Sequence, residues 1–300
     1  MTPDKILEGL PKILTKDQRE HYFEHGFLCV EDAISNKELE ALRNVTRQFV
    51  EKSKSVSRSD DRYDIGEDHC ADNPVLRRLK SPDTASEIFW QFSNGVVADI
   101  ASDLLGPNVT FHHSKLNFKW FDKSDKVKWH QDIQFFPHTN YNVITIGCYL
   151  EDTTMENGPL GVVTGSHKED LFDQYDSEGN WTGMLSDEDA AKVDLQRVEY
   201  ITGKAGTLTI HNARTLHYSP SSKSVTPRPL LLNCYSSSDA KPYTAHPMPT
   251  VNTYKVVRGE PVKWAHHDPR PCQIPPDWSG GYTSIYAAQA GEDKATVSST

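Results

Sequence analysis

The chain has 300 residues, of which 36% are hydrophobic and 25% are charged, and its formal net charge at pH 7 is -10. This length and composition are sufficient for one sizeable hydrophobic core. The negative charge disfavours nucleic acids and anionic membrane surfaces as partners, because both repel an acidic protein. We therefore expect no nucleic-acid partner and no membrane partner.

The N-terminal segment has neither a continuous apolar core nor a small-residue cleavage site, so the sequence predicts no signal peptide. No apolar run reaches the roughly 18 residues needed to span a membrane. The cysteines are odd in number, widely spaced and without a C-x-x-C pair: Cys29, Cys70, Cys148, Cys234 and Cys272. This pattern predicts neither a disulfide framework nor a cysteine zinc site, and it fits a reducing cytoplasm.

Helix signals dominate the first part of the chain. Thr15 and Gln18 form a capping-box pattern ahead of a short helix that should end at Gly26. After a predicted strand, FLCVED, a second capping box at Ser35 and Glu38 opens an amphipathic helix. Residues 55–73 are polar without periodicity and predict a loop, whereas residues 85–106 show the apolar spacing of one further helix.

From Val109 the sequence changes to short β-branched or aromatic runs separated by Asp, Asn, Gly, Ser and Pro. This texture is typical of an antiparallel sandwich or barrel. One insertion carries a short helix capped by Ser186, and the proline- and aromatic-rich residues after Ser238 should wrap the barrel or cover its mouth. The last residues, Gly291 to Thr300, are small and polar and predict a disordered tail.

We thus predict a single domain over residues 1–300. Its predicted parts are a helical N-terminal part (1–108), a barrel core (109–237) and a C-terminal wrap with the tail (238–300).

The segment VKWHQD places His130 and Asp132 two residues apart. Alternate residues of a strand point to the same side, so the two side chains should project together. A second histidine from a distant strand would complete a 2-His-1-carboxylate face, which suits non-haem iron(II) chemistry with oxygen. By itself, a His-x-Asp pair is equally compatible with a hydrogen-bonded pair in a core or loop.

Downstream, His217 is followed by Ser219 and, eleven residues after His217, by Arg228. If Arg228 points into the barrel, its buried cation needs an anion, and its fork of donors suits a dicarboxylic acid. Ser219 would add a hydroxyl donor. The alternatives are a surface arginine in the TPRP turn, and His211 in place of His217 as the distal ligand.

Three sequence blocks in order resemble the phytanoyl-CoA dioxygenase family of iron(II)/2-oxoglutarate oxygenases. The first block is His130-x-Asp132, the second joins Asn157-Gly158-Pro159-Leu160 to Thr164-Gly165-Ser166-His167, and the third contains His217 and Arg228. Thr164 stands where the family has a proline. The resemblance is firm from Val109 to Ser237 and loose over the N-terminal helices.

The resemblance implies a mainly β fold with flanking helices, a double-stranded β-helix (jelly-roll, cupin-like) barrel. It implies that His130, Asp132 and His217 bind iron and that Arg228 and Ser219 bind the distal carboxylate of 2-oxoglutarate. Further candidates for cosubstrate contact, each also readable as ordinary polar strand residues, are Asn117, Lys119 and Thr145. His167 is expected to be structural. Gly147 stands where relatives often have tryptophan, which would either enlarge the pocket or reflect different packing.

The implied activity is that of a dioxygenase that uses Fe(II), 2-oxoglutarate and oxygen (O2), releases succinate and CO2, and hydroxylates or otherwise oxidises a small organic metabolite. Related halogenases have a small residue at the position of Asp132, so the carboxylate favours oxygenation. The alternatives from other classes are a zinc-dependent hydrolase and a non-catalytic cupin-like binding protein.

Substrate contacts are predicted from position in the sequence alone. The candidates are Gln134, Phe135 and Phe136 after the metal motif, Arg62 and Tyr63 in the polar loop, and Arg214 before the distal histidine. Each is also readable as a packing or surface residue. No basic cluster suited to the phosphates of CoA is evident, which favours a small metabolite. The sequence does not indicate an oligomeric state.

Overall fold

A computed structural model describes residues 1–121, 126–278, 282 and 284–291. Two antiparallel sheets form its centre. The strands are β1 (Phe27–Val30), β2 (Tyr63–Ile65), β3 (Leu76–Lys80), β4 (Val109–Asn117), β5 (Val127–His130), β6 (Val143–Tyr149), β7 (Leu160–Val163), β8 (Val198–Ile201), β9 (Leu208–Asn212), β10 (His217–Ser219), β11 (Leu230–Ser237) and β12 (Val256–Arg258).

Most helices precede the central strands. The α-helices are α1 (Pro3–Glu8), α2 (Lys16–His25), α3 (Asn36–Ser53), α4 (Pro82–Ala85), α5 (Glu87–Ser93), α6 (Val96–Leu105), α7 (Asp187–Ala190) and α8 (Ile285–Ala290). Both predicted capping boxes form: the Thr15 and Ser35 side chains accept from the backbone N–H of Gln18 and Glu38, whose side chains accept in return from the backbone N–H groups of Thr15 and Ser35. Helix α2 ends at Gly26, which adopts φ 84 as a left-handed cap.

The major sheet has the strand order β1-β9-β6-β11-β4-β3-β2, with β12 paired to β4. The minor sheet has the order β5-β10-β7-β8. Three strands from the N-terminal part, β1, β2 and β3, thus complete the edges of the major sheet. The N-terminal part is therefore not only helical, and the sheet it completes belongs to the barrel.

Two predictions for the N-terminal part were wrong. The presumed loop 55–73 contains β2, because Tyr63–Ile65 pairs with β3 and so gains its structure from a distant partner rather than from local periodicity. The presumed single helix over 85–106 is two helices, α5 and α6, separated at Asn94 and Gly95. Glycine favours such a break, because its backbone is freer than that of other residues.

The largest hydrophobic cluster lies between the helices and the outer face of the major sheet. The cluster joins side chains of α3, α5 and α6 to side chains of the strands. Leu42, Phe89 and Ile100 come from the helices, and Phe111 and Tyr235 come from strands. The helices thus cover one face of the major sheet, and its other face looks towards the minor sheet. The polar side chains considered below lie between the two sheets.

No helix among the described residues is long and apolar enough to cross a membrane. All five cysteines have free thiols. Apart from Gly291, the tail predicted to be disordered lies outside the described residues.

Candidate active site

His130 and His217 face each other across neighbouring strands of the minor sheet. They are paired in the register of β5 and β10, and their ring centroids are 4.1 Å apart. Each Nδ1 lies 2.8 Å from a backbone carbonyl two residues earlier, Lys128 O or Thr215 O. A nitrogen beside a carbonyl must donate, so in the neutral ring the lone pair belongs to Nε2. Both histidines therefore present a free Nε2 to the space between the sheets.

Asp132 adds a carboxylate to this pair, but not from the strand position that was predicted. Strand β5 ends at His130, and Asp132 begins a 3-10 turn. The side chains still meet: Asp132 Oδ1 is 3.6 Å from His130 Nε2 and 3.9 Å from His217 Nε2. One ligand atom from each of the three residues lies within 4.8 Å of the others, and all three residues are buried. Two imidazole nitrogens and one carboxylate oxygen form a donor set that suits iron(II).

The second carboxylate oxygen of Asp132 is held by other side chains. Thr145 Oγ1 donates to Asp132 Oδ2 at 3.0 Å, and His211 Nε2 lies 3.4 Å from the same oxygen. His211, the rival candidate for the distal ligand, thus contacts the second oxygen of Asp132, and its ring centroid lies 4.4 Å from that of His217. Such outer contacts orient a ligating carboxylate.

The charge state of the cluster follows from burial and its neighbours. Burial opposes the ionisation of Asp132, but the positive charge of Lys115 and the adjacent imidazoles of His130 and His211 outweigh it, so the Asp132 pKa lies well below its usual range. Burial, together with the nearby His130 and His211, holds the pKa of His217 well below its usual range. The arrangement is therefore an anionic carboxylate beside a neutral imidazole, as metal binding requires.

Arg228 lies in the same space, and its guanidinium is only partly satisfied. The residue is 3% exposed. Its Nη2 donates to Gly158 O at 2.8 Å and to Ser219 Oγ at 3.1 Å, whereas Nε and Nη1 have no hydrogen-bond partner. A buried guanidinium with two unused donors is costly without an anion. The donors present fit a carboxylate such as that of 2-oxoglutarate.

The three weaker cosubstrate candidates have different surroundings. The Asn117 side chain faces the same space and accepts from Arg78 Nε at 2.8 Å. Lys119 lies beyond the end of β4 and is completely buried, and its Nζ donates to Ser219 O at 3.3 Å. Thr145 contacts Asp132, as described above, so its placement favours orienting the metal ligand.

Two cavities lie between the sheets, and Asp132, Lys115 and Ile285 border both. The first, called the triad cavity, is lined among others by His130, His217, Ser219, Arg228, Thr145 and Tyr286. The second, called the neighbouring cavity, is lined among others by Arg78, His113, Phe135, Phe136 and His246. Asp132 supplies the one carboxylate among the described residues that line either cavity. Helix α8 closes this region, since Ile285 and Tyr286 belong to it.

Sequence reasoning missed Arg78, His113 and Lys115. The signal for the last two was available, because His113 and Lys115 alternate along β4 with Asn117, which was recognised. His112 sits at a register irregularity in this strand, where Cys234 pairs with His113 and Tyr235 with Phe111. The extra residue turns His112 towards His113, and their Nδ1 atoms are 2.6 Å apart. Arg78 carried no local signal, because only tertiary pairing of β3 with β4 brings it here.

Of the residues after the metal motif, Phe135 and Phe136 line the neighbouring cavity. Gln134 does not border either cavity among the lining residues described. It is fully buried, and its amide group donates to Phe172 O at 2.7 Å and accepts from Gln174 Nε2 at 2.8 Å. Gln134 therefore fixes the loop behind the site, and its substrate contact stays a prediction.

Arg62, Tyr63 and Arg214 are also not among the residues that line the two cavities, and their substrate contacts stay predictions. Arg62 Nη1 donates to Lys80 O at 2.9 Å and to Ser81 O at 2.7 Å, which ties β2 to the end of β3. The Tyr63 ring packs beside Phe49. Arg214 is 2% exposed and stacks its guanidinium over the Tyr141 ring, 4.2 Å from the ring centroid. The side chains of these three residues make contacts within the fold, and the local sequence does not reveal those contacts.

Two further positions carry a packing explanation. His167 lies against α2, where its Nε2 is 3.2 Å from Phe23 O, in line with the structural role expected of it. A Cβ at Gly147 would lie 2.6 Å from Thr209 Oγ1 and 2.9 Å from Leu230 Cδ1. Neighbouring side chains thus already occupy the space of a larger residue at position 147, which favours different packing over an enlarged pocket.

Known proteins share both the sequence pattern and the fold. The phytanoyl-CoA dioxygenase (PhyH) family profile matches residues 22–230. A probable alpha-ketoglutarate-dependent hypophosphite dioxygenase of Stutzerimonas stutzeri is 30% identical over 241 residues, covering 75% of this chain and 80% of that relative. Ectoine dioxygenase of Sphingopyxis alaskensis is 26% identical over 265 residues, covering 79% of this chain and 81% of that relative.

Among solved structures, EctD from S. alaskensis with 2-oxoglutarate and 5-hydroxyectoine superposes with a TM-score of 0.67 at 21% identity, covering 91% of this chain and 93% of EctD. This likeness confirms the predicted cupin-like double-stranded β-helix with flanking helices. The family match extends over well more than half of the sequence and includes the triad and Arg228. The chain belongs to the phytanoyl-CoA dioxygenase (PhyH) family.

Proposed function

We propose that this protein is an iron(II)- and 2-oxoglutarate-dependent dioxygenase that oxidises a small organic metabolite and releases succinate and CO2. The observation that carries the proposal is the placement of Arg228 in the triad cavity. Its two unused buried donors call for an anion beside a metal-capable triad, and a 2-oxo dicarboxylic acid supplies both a chelating end and a distal carboxylate.

The proposed roles follow the contacts. His130, Asp132 and His217 hold iron(II), and the carbonyls of Lys128 and Thr215 keep both imidazoles in the tautomer with a free Nε2. Arg228 and Ser219 bind the distal carboxylate of the cosubstrate. When bound, the iron activates oxygen at the expense of 2-oxoglutarate and so supplies the oxidising power.

The other side chains act by position. Thr145 and His211 hold the second oxygen of Asp132, so the carboxylate keeps one orientation towards the metal. Ile285 and Tyr286 of α8 cover the cavity and limit the access of water. A dry site strengthens the interactions of Arg228 and Asp132 with bound charges.

The two rival functions are less well supported. A zinc-dependent hydrolase would place a general base near the metal, but Asp132 is the one carboxylate among the described residues of both cavities. A hydrolase also has no use for a buried arginine with unused donors. A non-catalytic binding protein would have no need to keep all three ligand atoms within reach of one metal ion.

The names of the relatives refer to several different small substrates and do not identify the substrate of this protein. Their names refer to hypophosphite and ectoine, both small molecules, and another relative, L-proline trans-4-hydroxylase of Streptomyces griseoviridis, acts on an amino acid by its name. We include a small, diffusible substrate in the proposal, and a cytoplasmic location, which the five free thiols support.

The test is cosubstrate turnover in matched variants. Purified protein is reconstituted with iron(II), and succinate release from 2-oxoglutarate is measured with and without candidate metabolites. We expect slow, iron-dependent succinate release without substrate, and none from Asp132→Ala or from protein loaded with zinc. Equal turnover with zinc, or full turnover by the Asp132→Ala variant with normal iron content, would contradict the proposal.

A further inference from the structure

Two cationic side chains, Arg78 and Lys115, line the neighbouring cavity. Arg78 is 1% exposed, and its Nε donates to Asn117 Oδ1 at 2.8 Å. Its Nη2 is buried and has no hydrogen-bond partner. The adjacent Arg77 shows the contrast, because its Nη2 pairs with the buried carboxylate of Asp64 at 2.8 Å. Arg78 thus keeps an unneutralised charge at the cavity wall.

Lys115 provides a second cation on β4, the strand that pairs with β3, where Arg78 lies. It lies on β4 between His113 and Asn117 in the alternation that points to the inside, and it borders both cavities. Among the described residues, no hydrogen bond or ion pair joins its Nζ to a partner. Its position between the two cavities places a positive charge close to where a substrate must approach the metal.

The charges of the proposed iron complex do not neutralise these two cations. Iron(II), doubly charged 2-oxoglutarate, Asp132 and Arg228 together sum to zero. Arg78, which is buried, and Lys115, which is half-buried, remain, and a buried cation is costly unless it meets an anion. Resting on the proposed function, this balance leaves room for one substrate group with one or two negative charges.

The cavity shape restricts the size of that group. The volume of this cavity is about 30 Å³, which is space for one or two water molecules. Phe135, Phe136 and Ile285 form its apolar wall. A space of this size suits a small anionic head and excludes a bulky one.

We propose that the neighbouring cavity binds an oxyanion group of the substrate between Arg78 and Lys115, and that the substrate is a small carboxylate or phosphorus oxyanion. The two cations hold the anionic head, so that a bond next to it faces the metal. Arg78 and Lys115 are thus substrate-positioning residues.

The test uses methylphosphonate and acetate as probes of the two oxyanion classes, with neutral acetamide as the control. Each is titrated by calorimetry, without oxygen, into protein saturated with iron(II) and 2-oxoglutarate, so that Arg228 is already occupied. We expect at least one oxyanion to bind and acetamide not to bind. Binding by methylphosphonate alone indicates a phosphorus oxyanion, and binding by acetate alone indicates a carboxylate.

Matched variants locate the binding. Arg78→Gln and Lys115→Met should each weaken the oxyanion by about tenfold or more, since a charged hydrogen bond is lost. Arg78→Lys should retain part of the affinity, and Lys37→Gln, which removes an exposed lysine charge, should have no effect. Far-UV circular dichroism and thermal unfolding that match those of the unmodified protein show that the variants are folded. Absence of oxyanion binding by the unmodified protein would overturn the inference. So would oxyanion affinities of Arg78→Gln and Lys115→Met that equal the affinity of the unmodified protein.

A separate titration distinguishes this inference from the proposed function. Methylphosphonate and acetate are also added to metal-free Arg228→Ala protein, in which the cosubstrate site is disabled but Arg78 and Lys115 remain. Binding that still depends on Lys115 supports the oxyanion site even if 2-oxoglutarate never binds. Lack of binding there, together with lack of binding to the iron complex, rejects the site.

Discussion

His130 and His217 are paired across β5 and β10, and each is oriented by the carbonyl two residues before it. The same pairing leaves His211 on β9 of the other sheet, where it touches the far oxygen of Asp132. The two sheets therefore divide the histidines into two kinds: those of the minor sheet face the metal position, and His211 supports the carboxylate.

This division predicts different outcomes for two alanine variants. His217→Ala should abolish stoichiometric iron(II) binding, because a ligand is lost. His211→Ala should retain iron and lower its affinity by about 10–100-fold, as is typical when an outer partner of a ligand is removed. Metal content after anaerobic reconstitution and gel filtration measures both. The reverse order of severity would make His211 the ligand.

Thr145 offers a finer test of the same support. Thr145→Val removes the hydroxyl that donates to Asp132 Oδ2 at 3.0 Å and keeps the shape of the side chain. We expect iron affinity to fall by about tenfold or more. Thr145→Ser keeps the donor and should behave like the unmodified protein. Equal loss in both variants would show that packing, and not the hydrogen bond, matters at this position.

The chemistry of this site was largely readable from the sequence, because its residues occur in ordered blocks. His130, Asp132, His217 and Arg228 belong to local patterns, and the structure brings them to one cavity. The role of each remains a prediction until it is measured.

The full set of residues that line the neighbouring cavity could not be predicted from the sequence, because the pairing of distant strands brings some of them there. Arg78 reaches the cavity only through the pairing of β3 with β4, and Arg62 is diverted to the carbonyls of Lys80 and Ser81. Likewise, β2 forms only because β3 lies beside it. Strands with long-range partners leave weak local signals.

The packing around Gly147 predicts a stability cost. Gly147→Ala should lower the free energy of unfolding by about 1–3 kcal/mol, because the new Cβ meets Thr209 Oγ1 and Leu230 Cδ1. Chemical denaturation of the metal-free protein measures the loss. In a Thr209→Ala background the cost should be smaller, since the closest contact is gone. An equal cost in both backgrounds would show that Thr209 does not limit the space.

Buried histidines predict acid sensitivity. Burial lowers the pKa of His138 to about 4, and burial likewise lowers that of His246 to about 4, from an ordinary value of 6.5. Between about pH 4 and pH 6.5, these histidines bind protons in the unfolded chain but not in the folded protein. The free energy of unfolding therefore falls as pH falls from 6.5 towards 4, by up to about 1.4 kcal/mol per pH unit for each histidine.

A single variant isolates this effect from other titrating groups. His138→Asn keeps a side-chain amide that can donate to Phe136 O but does not titrate. Urea unfolding at about pH 7 and about pH 5 should show a shallower loss of stability in the variant. The same pH dependence in both proteins would mean that His138 is protonated in the folded state or does not contribute.

The most direct test of the whole account is the binding of 2-oxoglutarate to the iron(II) protein without oxygen. Titration should produce the visible charge-transfer band of the metal chelate, and the band should saturate. Arg228→Ala should form the same band with affinity weaker by about tenfold or more, because charged hydrogen bonds to the distal carboxylate are lost. Lys37→Gln serves as the exposed-charge control. No band in protein that demonstrably contains iron, or equal affinity in Arg228→Ala, would contradict the account.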